Sequence, residues 1–468
     1  MKKIYMLLFC SLISYSAFPQ IGSIGNTDAR SMGMGKTYNS TSLGIYAIGI
    51  NPANLMGHST DNVNISTLLP LPTVAVATGT NFITIDDINY FFGGVNGESR
   101  ILTDADKTRF DNLFTDGGLG IVSASANLVS VSLNLNEQGA FGFSISDFAA
   151  GRVNFPKAII DIALNGNRED KVYNFGDTNL KSWWIRNYSL SYAREFKGIF
   201  SKFYAGATVK MVQGFYYAGT DRVNTSFQTG SQNQITGNAD LRALAAFSDD
   251  FAVKYDFDSV SVKQTSNVGM FPKPAGSGFG FDIGFSAVLN EKWNVSVSLT
   301  DIGSINWDGN AAEYSALGAI YFDDPTNKTQ RDSVKDQITG KGKRIAEFST
   351  SLPTALRLGV SHYFLGRQND NSGSLLLAFD FNQGFNDMPG NSKKPRMSLG
   401  MEWKPLEWIP YIRSGFSIGG ELGFNWALGL GMDAGIVEFN FATSNFETLI
   451  APNKAKQVSL AFGSRWKF

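Results

Sequence analysis

A two-residue period runs through most of this chain, and it limits the possible folds more than any other feature. In Gln457–Phe468 the even positions carry Val458, Leu460, Phe462, Trp466 and Phe468, with Ser464 the exception. The odd positions carry Ser459, Ala461, Gly463, Arg465 and Lys467. Successive side chains of a strand point to opposite faces, so this alternation gives a strand with one apolar face. The same pattern recurs with small or polar residues opposite. Val129, Val131, Leu133 and Leu135 stand against Ser130, Ser132 and Asn134, and Phe141, Phe143 and Ile145 against Gly142, Ser144 and Ser146. Phe279, Phe281, Ile283 and Phe285 oppose Gly280, Asp282, Gly284 and Ser286. Leu356, Leu358 and Val360 oppose Arg357, Gly359 and Ser361, and Met397, Leu399, Met401 and Trp403 oppose Ser398, Gly400 and Glu402.

Connection lengths turn strands into a topology. Fourteen strands are predicted, near 63–79, 121–135, 140–149, 184–195, 203–216, 278–289, 293–302, 355–365, 373–382, 395–404, 410–419, 423–433, 435–444 and 457–468. Short links at 136–139, 196–202, 290–292, 365–372, 405–409 and 433–434 alternate with long ones, above all 80–120, 150–183, 217–277 and 303–354. A soluble sandwich gives no reason for that alternation. An outer-membrane barrel does, since it has an even strand number, short periplasmic turns and long extracellular loops. Each crossing needs about 9–11 residues, and closure leaves no unpaired edge facing lipid. The predicted fold is therefore all-β, a transmembrane antiparallel barrel of about fourteen strands in the bacterial outer membrane, spanning 61–468. Trp183, Trp184, Trp293, Trp403, Trp408 and Trp466 lie at or near predicted strand ends, where aromatic girdles form.

Composition excludes other classes. Charged residues make up 17% of the chain, and 41 acids against 40 bases argue for no nucleic-acid partner. Two His and one Cys leave little material for a metal, thiol or redox centre, so no catalytic, cofactor or metal site is predicted. The start reads as a secretory leader: Lys2 and Lys3, an apolar run from Ile4 to Ile13, then Ser14, Ser16 and Ala17. Residues 1–20 are assigned to it, with cleavage between 16 and 20. Cys10 falls inside it and lacks the small preceding residues of a lipidated cysteine.

Residues 21–60 differ from the rest, being rich in Gly, Ser and Asn without sustained alternation. Their length suits a plug within the barrel. Asp28-Ala29-Arg30-Ser31-Met32-Gly33-Met34-Gly35 and Asn51-Pro52-Ala53-Asn54-Leu55 resemble the N-terminal hatch of FadL-type outer-membrane proteins. That superfamily includes long-chain fatty acid transporters and the PorV-type components of Bacteroidota secretion machinery. The resemblance extends to Ser298–Trp307, to Gly400–Leu406 and to the terminal aromatics, and is strongest to an uncharacterised Bacteroidota branch. It implies Gly33, Gly35, Asn51 and Pro52 as hatch residues. It implies Trp466 and Phe468 as the signal read by the barrel-insertion machinery. It further implies a ligand that binds among the extracellular loops, passes a rearranging hatch and leaves sideways through the wall.

Sharper chemistries fail on their own terms. Gly35-Lys36-Thr37 ends like a phosphate loop, but the motif needs Gly where Arg30 stands. A hydrolase would have to use His58 or His362; the first is a loop residue, the second an interfacial one near a short turn. The pairs Asp249-Asp250 and Asp323-Asp324 read as solvated charge. Two functions lead, ahead of a mainly structural role in the envelope. In the first, the barrel passes hydrophobic small molecules such as fatty acids, with Phe215, Tyr216, Tyr217 and Phe271 (and Phe227) as apolar contacts where a ligand enters. In the second, it is a PorV-like scaffold holding secreted or surface proteins on the loops at 217–277 and 303–354. Outer-membrane lipid surrounds it in either case.

Overall fold

A computed structural model describes residues 28–468 except 58–61, 96, 116, 199, 233, 258–265, 267, 291, 324–326, 366–372, 407 and 422. The predicted leader, residues 21–27 and 58–60 of the plug, His58 and Asp324 lie outside the described residues.

The wall starts with β1 (Val63–Thr67) and β2 (Thr73–Thr80), two stretches of one wall position that both pair with β3 (Gly118–Asn134). A tight turn leads to β4 (Ala140–Phe155), and the short β5 (Val172–Asn174) precedes β6 (Asn179–Phe196) and β7 (Lys202–Val223). Next come β8 (Ser226–Thr229), β9 (Ile235–Phe247), β10 (Gly276–Leu289), β11 (Trp293–Trp307), β12 (Ala312–Phe322) and β13 (Lys341–Arg344). The strands β14 (Phe348–Ser351) and β15 (Ala355–Leu365) again share one position, both pairing with β11. The circuit ends with β16 (Ser374–Gly384), β17 (Arg396–Lys404), β18 (Tyr411–Gly419), β19 (Asn425–Asp433), β20 (Val437–Thr443) and β21 (Gln457–Lys467). Because β21 pairs back onto β1 and β2, the wall is a closed antiparallel barrel of 14 strands.

The two faces are reversed relative to a soluble protein. Phe279 is 71% exposed and Leu190 62%, with Leu399, Leu430, Phe441 and Leu460 also exposed on the outside. The opposite parity is buried and polar: Ser130, Ser132, Ser189, Thr208, Asp282, Arg357, Asp380, Glu402 and Asn440. An apolar exterior around a polar lumen is stable only in lipid, and the barrel is a bacterial outer-membrane protein. No described helix is long and apolar enough to cross a membrane; the crossing is made by strands.

Two expectations need correction. The connections 217–277 and 303–354 are not plain loops. Above Gly214, β7 leaves β10 and pairs with β9, which pairs with β12, and β12 with β13. Together with β5 and β8 these strands extend the wall beyond the lipid, where both faces meet water or protein and alternation is lost. Trp183 is also not a girdle residue, since it is fully buried inside the lumen. His362 does sit near a short turn, with its ring 4.3 Å from that of Trp293.

Candidate functional site

The lumen is filled in layers. Residues 28–57 occupy the half towards the short turns, folded as a helix at Ala29–Gly33 and 3-10 turns at Gly44–Ala47 and Pro52–Met56. Asp28 caps the helix by accepting from the Ser31 N–H, and Asn51 caps the last turn by accepting from the Ala53 N–H. Such caps let a short segment without strand pattern satisfy its own backbone.

Ion pairs tie this segment to the wall. Arg30 donates to Glu402 on β17 through Nε at 2.8 Å and Nη2 at 2.9 Å. The same carboxylate accepts from Arg413 Nε on β18 at 2.6 Å, and Arg413 Nη1 donates to Asn440 on β20 at 2.6 Å. Glu438 pairs with Arg465, which lies over the Tyr46 ring. A second knot surrounds Tyr38. Its hydroxyl accepts from Arg357 Nη1 at 2.8 Å and Arg396 Nη2 at 3.0 Å, while Asp380 accepts the N–H groups of Tyr38 and Asn39, each at 2.8 Å. Charges this deep are stable only when paired.

Four residues expected in the hatch lie in this layer. A Cβ on Gly33 would fall 2.8 Å from the Gly429 Cα, so only hydrogen fits. Gly35, at φ +65°, needs the left-handed region and lies against the backbone of Gly415. Asn51 donates to the Phe285 carbonyl at 3.3 Å, and Pro52 lies against Gly206 and Gly284.

Towards the long loops the lumen changes character. Trp183 and Ile185 from β6, Val212 and Tyr217 from β7, Leu244 from β9, Ile305 and Trp307 from β11, Phe348 from β14 and Met388 from the β16–β17 connection form one buried apolar cluster, with Phe148 packed against it. Trp307 Nε1 donates to Thr350 Oγ1 at 2.8 Å, whereas Trp183 Nε1 has no hydrogen-bond partner. Above it lies a polar mouth. Arg152 Nη2 on β4 donates to Glu421 at 3.2 Å, Ser392 Oγ to Glu421 at 2.6 Å, and Lys394 stands 3.3 Å from Glu421. A cavity of about 780 Å³ opens there, lined among others by Asn81, Leu119, Arg152, Asn154, Lys394 and Glu421.

The residues expected to contact an entering ligand are divided between two faces of the wall. Tyr217 belongs to the inner cluster. Phe215 occupies an extra position in β7 where the register shifts opposite Trp184 and Ile185. It is fully buried, ring to ring with Trp184 at 4.7 Å. Asp147 and Arg186 are paired in register between Ile145–Tyr188 and Phe148–Ile185. They share the parity of the exposed Phe143 and Leu190, so they face outward. Arg186 lies over the Phe215 ring at 5.2 Å and over Phe271 at 4.8 Å, and its Nη2 donates to the Met270 carbonyl at 2.8 Å. Tyr216 stacks on Phe247 at 6.1 Å. Trp466 and Phe468 end the closing strand, and the Phe468 N–H and carbonyl bond reciprocally with Val63 at 2.9 Å.

The sequence reading missed the ionic pins. Their signal was present in Arg357 and Glu402, which sit on the non-lipid parity of strands already recognised, where a charge marks an inward contact. Among the described residues, no group of three or more His, Cys, Asp or Glu side chains could hold a metal ion.

Comparison with known proteins agrees with this geometry. A solved structure described as a TodX mutant monoaromatic hydrocarbon channel matches with a TM-score of 0.51 at 13% identity, covering 95% of this chain and 100% of that one. The toluene transporter TodX of Pseudomonas putida matches at 0.46 and 12% identity, over 95% and 99% of the two chains. A FadL homologue of Pseudomonas aeruginosa matches at 0.46 and 13%, over 97% and 100%. The first shows a shared fold, a barrel of the same architecture. No curated protein matches the chain in sequence. Residues 60–444 match the family described as "Family of unknown function (DUF5723)", and the chain belongs to that family.

Proposed function

We propose that this barrel passes hydrophobic small molecules across the outer membrane. The observation that carries this reading is the buried apolar cluster around Trp183, Tyr217 and Trp307, set between a polar mouth and an ion-paired plug. A lumen for ions or sugars would be polar throughout, whereas an apolar section favours solutes that leave water willingly. The fold is shared with a monoaromatic hydrocarbon channel, and compounds of that size, or fatty acids, are the class we assign. A solute would enter at the 780 Å³ cavity, move Met388 and reach Trp307. Residues 21–60 act as the hatch. The register shift at Trp184 and Ile185, where the Trp307 ring lies on the Gly214 backbone, supports a sideways exit there.

The test is gentle extraction from native outer membranes followed by mass spectrometry of bound molecules. A stoichiometric apolar compound is expected, depleted by Trp307→Ala. Stable protein partners without such a compound would overturn transport and favour the PorV-like scaffold.

A further inference from the structure

The wall is unequal in height, and on the low side the apolar surface of the strands is shorter than the membrane's apolar band. On the side of β6 and β7 the strands have 18 and 22 residues, but β19 has 9 and β20 only 7. At about 3.4 Å per residue and a tilt near 45°, β20 spans roughly 17 Å of membrane, against an apolar band of about 25 Å. Something must cover the missing part of the lipid-facing surface, because acyl chains cannot contact bare backbone ends or polar loops without cost.

The connections rising from this side carry apolar groups where the gap lies. Leu449 is 71% and Ile450 64% exposed on the short helix Glu447–Ile450 between β20 and β21. On the neighbouring helix Ile85–Phe92, which follows β2, Ile88 and Phe92 are 45% and 68% exposed. Being four apart they share one face; Phe91 is buried edge-on against Phe110 at 4.8 Å, and the Phe92 ring touches the same Phe110 at 6.1 Å while staying mostly exposed. The Ile85 N–H donates to the Ala455 carbonyl at 3.2 Å, joining the two connections.

The patch is continuous with the lipid-facing wall. Trp426 on β19 has the parity of the exposed Leu430 and Met432 and therefore points outward. Phe446, just before the short helix, packs edge-on against Trp426 at 5.0 Å, and Trp426 stacks in turn on Phe416 at 5.9 Å. The β20–β21 connection thus folds over the outside of the barrel.

We infer that Ile88, Phe92, Leu449 and Ile450 insert among the acyl chains of the outer leaflet, completing the apolar belt where β20 is too short. These two connections lie in the membrane surface as an interfacial amphipathic element, unlike the water-exposed extension built on β9 and β12.

Nitroxide labelling tests this on the full chain. Cys10 is the only cysteine, so in a Cys10→Ser background single cysteines can be placed at Phe92 and Leu449. Leu430→Cys serves as the lipid-facing control and Asp104→Cys, fully exposed, as the aqueous one. In lipid nanodiscs, oxygen collisions at 92 and 449 are expected to exceed those with a water-soluble nickel chelate severalfold, matching 430. Collision ratios like those at 104 would overturn the inference. So would low collision with both reagents accompanied by dipolar broadening, which would mean that a second copy covers the patch.

Discussion

Removing the Glu402 charge tests whether ion pairs hold the N-terminal segment in the barrel. In Glu402→Gln the shape is kept, but Arg30 and Arg413 lose their shared anion. Three charge-assisted hydrogen bonds meet this carboxylate, at 2.8, 2.9 and 2.6 Å. The side chains of Arg30, Glu402 and Arg413 are 6%, 5% and 1% exposed, so water cannot replace it. Breaking a buried pair from one side costs about 3–5 kcal/mol. Arg413 keeps Glu438 at 4.0 Å and Asn440, so most of the cost falls on Arg30. The segment can escape that cost only by unseating. Amide exchange in 28–57 should therefore accelerate by roughly two to three and a half orders of magnitude, read by mass spectrometry in detergent or nanodiscs. Exchange in the wall strands should change far less. Arg30→Met in the same chain should recover most of the protection, because it removes the unpaired cation. The reasoning is refuted if 28–57 stays as protected as in the unaltered protein, or if the double variant is worse than the single one.

Two further outcomes follow from the same geometry. Gly33→Ala places a Cβ 2.8 Å from the Gly429 backbone and should cost about 1–3 kcal/mol of seating. Gly120→Ala, with nothing within 4 Å, should be silent in the same exchange assay. In the loop helix Asp104–Leu113, the Tyr90 hydroxyl, then the Thr103 N–H and hydroxyl, hold the Asp106 carboxyl at about 2. Its folded value lies below the ordinary one near 3.9. The stabilisation is thus complete above about pH 4 and fades as pH falls towards 2. Exchange in 104–113, corrected for intrinsic rates, should be flat from pH 7 to 4 and rise below it. A rise already at pH 6 would contradict this.

How much of this could be read from sequence depended on contrast between faces. Where lipid meets one face and the polar lumen the other, as in Met397–Trp403 or Gln457–Phe468, the period is clean and the wall strands were legible. The contrast fails where both faces are apolar. In Trp183-Trp184-Ile185 the first and third side chains enter the inner cluster while the second faces out. Phe215-Tyr216-Tyr217 adds a register shift to the same confusion, so a strand that continues to Val223 reads as ending at 216. The contrast also fails above the lipid, where β9 and β12 pair over eleven positions with no membrane on either side. The Asp147–Arg186 pair was invisible because it breaks the rule, placing charge on the outward parity beneath Met270 and Phe271. The inner pins were accessible in principle, but naming Arg30 as the mate of Glu402 requires knowing which strands face one another.

That pairing also orders events in time. Arg30 and Glu402 are separated by 372 residues, and Tyr38 bonds to Asp380 across 342. The segment made first therefore has its anchors in the strands made last, and long-range contacts of this kind form late. The N-terminal segment can therefore make its full set of contacts only once β16, β17 and β18 are in place. A chain stopped before β17 would leave the membrane with a partial sheet and an N-terminus that has no place to dock.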